Sequence, residues 1–533
     1  MSNQKAKRWP KRTLTWLNRT LLLPFAVLSA LLFTLLYTPA GLSFNLWLAQ
    51  HIVSGFSVER SEGSLLGGNT LYGLRWHDDA LTLTLEQSTL QINNGCFLRF
   101  TLCIEQLALQ GIAIEIADAT NATPADQPQP SANLWLPFAI DIAQLQLNDA
   151  TVQVAGTTLS WQQFNTAAKL WGNKVQLNQP HWQQVTLALP QTADTAGNSF
   201  TYQAPQLSDL RLPLSLFIDR FRLTDFTLQQ PTVQTIPELA FSLQLLPQQI
   251  SLTQLDISHP LATLYASAKV EPVGNYPVKA DIRLLLKDTA LAGQRLRLTA
   301  DGDLSDLQLK ATASELLDAE LSLWLNLLDS ALPLNARLNA TTLQWPLSGA
   351  ADIQLNELQI AADGSLKQLH FNAALALSGN QLPASRVQLN GHSSLDGATL
   401  ENIIINSLGG ELSGQAELNW QQQLSWLGKM QLSQIQPGQF WPDYHGELNG
   451  NMQFNGQLTP QGGWQLALPQ LDLNGTLRDY QLKLDGSLNA ADSSGQGDYR
   501  FDTPGLTLRH AQNQIQLTGS LDQQWQMAMK IAI

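Results

Sequence analysis

From about Arg60 onward the chain alternates apolar and polar residues with a period of two. Leu81, Leu83 and Leu85 are interleaved with threonine, Ile112, Ile114 and Ile116 with alanine and glutamate, and Leu145 and Leu147 with glutamine. The pattern returns at Leu296 and Leu298, at Leu307 and Leu309, at Leu482 and Leu484, and at Ile515 and Leu517. A strand sends alternate side chains to opposite faces, so each stretch predicts one apolar and one mostly polar face. A chain patterned this way is mainly β. Asx-Gly pairs at Asp301-Gly302, Asp363-Gly364, Asn449-Gly450, Asn455-Gly456, Asn474-Gly475 and Asp485-Gly486 read as hairpin turns. Several continue as Gly-x-Leu, a loose repeat without a fixed period that suggests a repetitive β architecture.

Two polar stretches, 117–133 and 191–206, interrupt the alternation and read as loops or insertions. Residues 314–332 are dense enough in leucine for a helix and equally readable as strand, turn, strand.

Charged residues are only 14% of the 533, and Gln, Asn, Ser and Thr take their place, which suits exposed strand faces. The net charge is −13, and six of the 30 basic residues lie within the first twenty positions, leaving 24 against 43 acids. An acidic body of this kind excludes nucleic acid as a partner, because phosphate binding needs a basic face.

Those basic residues (Lys5, Lys7, Arg8, Lys11, Arg12, Arg19) precede an uncharged run from Leu21 to Tyr37. Leu21, Leu22, Leu23, Phe25, Val27, Leu31, Leu32, Phe33, Leu35 and Leu36 are its anchor candidates. The run is slightly short of the roughly 20 residues a span needs, and Trp16 and Leu17 can extend it. No further Lys or Arg occurs before Arg60. The positive-inside rule then predicts a cytoplasmic tail (1–20), a single span (21–40) in the inner membrane, a short interfacial helix (41–56) and a body (57–533) on the far side. Ser43 is the expected cap of the interfacial helix. A cleaved signal peptide is the alternative, with Thr38-Pro39-Ala40 a poor cleavage site.

Cys96 and Cys103 are the only cysteines. In an exported chain they predict a disulfide, and without C-x-x-C spacing a redox or zinc site is not indicated. The eight histidines show no metal-ligand pairing. His77-Asp78-Asp79 reads as a turn beside Trp76, and Gly391-His392-Ser393-Ser394 lacks the glycine spacing of a nucleophile elbow. No phosphate-binding or dinucleotide loop is present, so the sequence predicts no cofactor, no metal and no enzymatic activity.

The order of several stretches resembles the TamB family within the wider AsmA-like group. They are Gly63-Ser64-Leu65-Leu66-Gly67-Gly68 with Leu71-Tyr72-Gly73-Leu74, the cysteine hairpin with Ile104-Glu105-Gln106-Leu107, Leu212-Pro213-Leu214-Ser215-Leu216, Leu343-Gln344-Trp345-Pro346, Leu418-Asn419-Trp420 and Leu471-Asp472-Leu473-Asn474-Gly475. No one of these is specific alone. The resemblance implies an elongated, curled β-sheet groove (β-taco-like, open along one side) behind one transmembrane helix. It implies a periplasmic body whose apolar trough carries phospholipid acyl chains toward the outer membrane. The alternative it implies is a translocation and assembly module scaffold that assists autotransporters and other outer-membrane β-barrel proteins. Its outer-membrane partner would be a TamA-like barrel. The sixteen period-two leucines and isoleucines named above, Leu81 through Leu517, are the candidate groove lining. Family members are longer, so the chain reads as a truncated product or a partial chain. Residues 60–533 suggest about 35 strands, a stack of roughly 160 Å at about 4.7 Å per strand. A closed β-sandwich or β-helix with a packed core is the competing architecture.

Overall fold

The computed structural model describes residues 23–78, 81–116, 135–190, 202–229, 233–287, 291–347, 349–522 and 525–532. Two helices lead the chain, α1 (Leu23–Tyr37) and α2 (Pro39–Ile52), bent by 80° where they meet. The cap of α2 is Thr38 and not Ser43. The Thr38 hydroxyl accepts from the Gly41 amide at 3.1 Å and Pro39 occupies the first turn, where its missing N–H is harmless. Ser43 falls one turn later and donates back to the Pro39 carbonyl. Among the described residues no single helix is long and apolar enough to cross a membrane, whereas the bent pair has the length and composition together. Leu21 and Leu22 lie outside the described residues.

The remainder is β. Strands are numbered in chain order, from β1 (Phe56–Ser57) to β29 (Trp525–Ala532), and fall in two units. The first unit takes the described residues of 1–198, 209–259 and 264–272. Here β1 and β2 (Arg60–Ser64) pair with β3 (Gly68–His77), which continues antiparallel to β4 (Leu81–Asn93) and β5 (Thr101–Ile116). β5 pairs parallel with β6 (Leu136–Val154), then β7 (Thr157–Gly172) and β8 (Lys174–Ala188) follow antiparallel. β8 pairs parallel with β9 (Ser215–Gln229), and β10 (Val233–Leu246) and β11 (Gln249–Ser258) complete the antiparallel ladder. A parallel pair requires the chain to return the length of a strand. The two insertions expected from the sequence fall between the strands of these two pairs; residues 117–133 and 191–201 lie outside the described residues, and 202–206 is coil.

The second unit takes 202–208, 260–263 and the residues from 273 onward. From β13 (Val278–Leu286) to β29 it is an uninterrupted antiparallel meander, each strand paired with the next. In neither unit does any pairing among the described residues join the first strand to the last, so each sheet is open.

A break in the pairing recurs in register. Gly73, Glu86, Gly111, Asp149 and Gln162 lie opposite one another, one for one, on β3 to β7, each unpaired between paired neighbours, so the ladder is interrupted along a column with no change of register. Gly73, Gly111 and Asp149 take φ of 61°, 66° and 51° there.

Two expectations need correction. Among the described residues the strands number 29 and not about 35, because they run to 16 and 19 residues in β5 and β6. Of the two readings of residues 314–332, strand, turn, strand is the one observed: they hold the end of one strand, a turn and β16 (Asp318–Leu325). The Asx-Gly pairs are not the turns. Gly475 and Gly486 lie inside β25 (Trp464–Leu477) and β26 (Tyr480–Asp492) at φ of 151° and 145°, and an added Cβ would sit 2.0 and 2.2 Å from carbonyl oxygens of the neighbouring strands. Glycine there permits close backbone approach, and the strands run on, β25 to Leu477 and β26 to Asp492, before turning.

Candidate functional site

Residues paired across a ladder share a face, so the register reads out the surface directly. In the second unit one line of pairs crosses all seventeen strands. It runs Ile282, Leu298, Ala311, Leu321, Leu338, Ile360, Ala373, Leu389 and Ile403, then Gly414, Met430, Met452, Leu471, Gly486, Leu506, Leu517 and Met529. Every position is apolar or glycine. At about 4.7 Å per strand the line extends roughly 75 Å along the ladder.

Parallel lines flank it on the same face. Leu296 lies in one that runs from Leu284 through Ala313, Ala319 and Ala340 to Leu358. Leu309 lies in another, from Ala280 and Ala300 through Leu323, Ala336, Ala362 and Phe371. Leu307 pairs with Gly302 and Leu325. Leu484 pairs with Leu473 and Leu508, and Ile515 with Leu508 and Ile531. Leu482 pairs with Gly475 and His510. The eight candidates in this unit therefore lie on one face.

One residue along, the opposite face reads Arg283, Arg297, Thr312, Glu320, Asn339, Gln359, Ala374, Gln388, Ile404, Ser413, Gln431, Asn451, Asp472, Asp485, Thr507, Gln516 and Lys530. Its ion pairs are solvated, as between Lys310 and Glu320. Asp281 accepts from both Arg283 and Arg297 at 2.8 Å, and these hydrogen bonds hold its carboxyl down at about 2. A concavity of about 890 Å³ also belongs chiefly to this polar face, lined among others by Thr399, Glu417, Asn455, Gln457, Gln465, Asn489 and Asp502.

The first unit repeats the segregation. Ile92, Ile104, Ile142, Ala168, Leu177, Ile218, Leu243 and Leu252 form one apolar line across β4 to β11. Another joins Leu109, Leu147, Phe164, Trp182, Leu223, Leu239 and Ile257. Leu81, Leu83 and Leu85 pair with Ile116, Ile114 and Ile112, and Leu145 with Leu107. Leu85, Ile112 and Ala150 pack together with Leu83, Ile114 and Leu147, whereas Leu145 joins the cluster around Ile104 and Ile142. Trp161, Phe164, Trp182, Phe221 and Phe241 make an aromatic section, Trp182 meeting Trp161 edge-on at 5.2 Å.

This face is not a sealed interior. Among the described residues the buried hydrophobic core numbers sixteen residues, few for a chain of this length. Leu296, Leu298 and Met529 are 37%, 38% and 58% exposed. Alternation did not single out Gly414, Met430, Met452 or Ala373, which sit outside leucine-isoleucine runs. Gly428 shows why small residues belong here: Phe454, directly opposite, lies where a Cβ would be, 2.5 Å away. Cys96 and Cys103 are bonded to each other. Among the described residues no group of His, Cys, Asp and Glu is placed to hold a metal ion.

Comparison with known proteins bears on an open, two-faced sheet of this length. The family described as TamB, N-terminal domain, matches residues 28–533. The chain belongs to the TamB family. It is 24% identical over 572 residues to the translocation and assembly module subunit TamB of Haemophilus influenzae, covering 98% of this chain and 43% of that protein. The chain thus spans under half the length of this TamB relative. No solved structure matches it.

Proposed function

We propose that this TamB-family chain is a non-catalytic conduit that carries phospholipid acyl chains along its apolar face. The supporting observation is the unbroken apolar line from Ile282 to Met529, on a face that no second layer covers among the described residues. An exposed apolar strip this long exceeds what soluble proteins leave uncovered without a use for it. Each CH2 removed from water contributes about 0.8 kcal/mol, so a chain of roughly 16 carbons gains on the order of 10 kcal/mol. Apolar contact is nondirectional, so the acyl chain keeps that gain while sliding from one strand to the next. The polar face keeps the sheet solvated. The bent helix pair α1 and α2 anchors the chain in the inner membrane with its body in the periplasm, and a TamA-like barrel is the partner at the outer membrane.

The name of the Haemophilus relative favours a second reading, in which the sheet is a scaffold for outer-membrane barrel proteins and acts by strand addition. A photoreactive side chain placed in the full-length protein at Leu321 or Met452, against controls at Glu320 or Asn451, separates the two. Phospholipid adducts confined to 321 and 452 support the conduit. Adducts with unfolded barrel strands and none with lipid refute it.

A further inference from the structure

The loop between β4 and β5 carries the two most exposed large apolar side chains among the described residues. Leu98 is 92% exposed and Phe100 85%, with Phe97 beside them. Hairpin loops are ordinarily polar, whereas this one reads Phe97-Leu98-Arg99-Phe100. Arg99 is its one charge and makes no ion pair among the described residues.

The loop is braced at its base. Cys96 and Cys103 are bonded across its base. The Asn93 carboxamide accepts from the Gly95 amide at 3.0 Å and donates to Glu105 at 2.9 Å. Phe100 adopts φ of 54°, a left-handed conformation costly for an aromatic residue, so surrounding structure fixes it.

Its place in the first unit is informative. The Asn94 side chain donates to the Leu66 carbonyl at 3.2 Å, and the Leu66 amide donates to the Leu36 carbonyl at 3.0 Å. Two hydrogen bonds thus connect the loop to the last turn of α1. β6 begins at the same end, because Thr101 pairs with Ala139 in the parallel ladder. Trp135, 73% exposed, and Phe138 therefore stand beside Phe100's end of the sheet.

We propose that this loop is a second membrane contact, a disulfide-held apolar wedge that rests in the headgroup layer of the bilayer α1 enters. Aromatic side chains favour that layer, and Arg99 reaches anionic headgroups while its stem stays apolar. A lipid surface is the occupant because the loop is tied through Leu66 to the last turn of α1, and α1 and α2 themselves expose apolar side chains, Phe44 and Trp47 included. Behind the loop, Leu102 pairs with Ile140 and Ile140 with Leu170. The wedge thus sets the start of the apolar face against the membrane, where an acyl chain would enter it. The inference rests on the anchoring reading above.

The test uses the full chain in phosphatidylethanolamine and phosphatidylglycerol vesicles. A benzophenone side chain is placed at position 28 in α1, at 98, at 100, or at 153 near the far end of β6. Lipid adducts at 98 and 100 on the order of tenfold above those at 153 are expected, since one buried Leu or Phe shifts partition by roughly that factor or more. Adducts at 28 with only the 153 level at 98 and 100 overturn the wedge and leave the anchor standing. Adducts at 98 and 100 without any at 28 support the wedge and refute the span. Absence at all three positions refutes both.

Discussion

Leu338 and Asn339 are neighbours in β17 (Leu334–Trp345), one on the unbroken apolar line and one on the polar face. Aspartate at each adds the same charge at nearly the same place on opposite sides of one sheet. At 339 the carboxylate remains in water, because Asn339 is exposed. At 338 an acyl chain crossing β17 must strip water from it, at several kcal/mol for an unpaired ion. That offsets the contact of roughly four to six CH2 groups at about 0.8 kcal/mol each. Adding Leu298→Asp and Leu321→Asp, on the same line, brings the total to on the order of 10 kcal/mol, comparable with the gain from a whole acyl chain. Leu338 is only half-buried, so the folded sheet tolerates the change better than Ile403 or Met430 would. The assay is lipid bound per protein after membrane extraction, by mass spectrometry, alongside circular dichroism. The triple apolar-face variant should lose most of its lipid, and Asn339→Asp should keep it. Equal loss from both, or full retention by the triple variant with its β spectrum intact, would refute the reasoning.

Other outcomes follow from particular contacts. Gln294 is 1% exposed; its side chain accepts from the Leu317 amide and donates to the Ser314 and Leu317 carbonyls, so Gln294→Ala should cost about 2–4 kcal/mol locally and speed hydrogen exchange at Leu317. Replacing both cysteines by serine opens a short loop worth about 2 kcal/mol, read as faster proteolysis within 94–103. Asp281 is held at about 2, below its value in the unfolded chain, so its ion pairs stabilise the β13 end of the sheet at neutral pH. That contribution is lost as pH falls from about 4 toward 2, and Asp281→Asn should abolish this part of the acid dependence in a pH series of unfolding.

Much of the fold was legible in the sequence because a period of two has one structural meaning. Leu81 to Leu85, Ile112 to Ile116 and Ile515 to Leu517 became strands with those side chains on one side, since the pleat dictates it. Register was not legible. That Leu338 faces Ile360 and Met430 faces Met452 depends on where each turn falls, and a shift of one residue would invert a strand. The Asx-Gly pairs misled because the same dipeptide serves a turn or a close approach of strands, and local sequence does not distinguish them. Thr38 was missed as a cap because the helix was read from its leucines, whereas the break is made by Thr38 and Pro39. The parallel joins at β5–β6 and β8–β9 left only their long polar returns as a sequence signal.

The central claim concerns what lies against the line from Ile282 to Met529. A density map of full-length protein, extracted from its membrane in native-lipid nanodiscs and never exposed to detergent, measures that directly. Elongated density of acyl-chain width along this face, with the polar face bare, is the predicted result. A face covered along its length by the protein's own polypeptide would contradict the account.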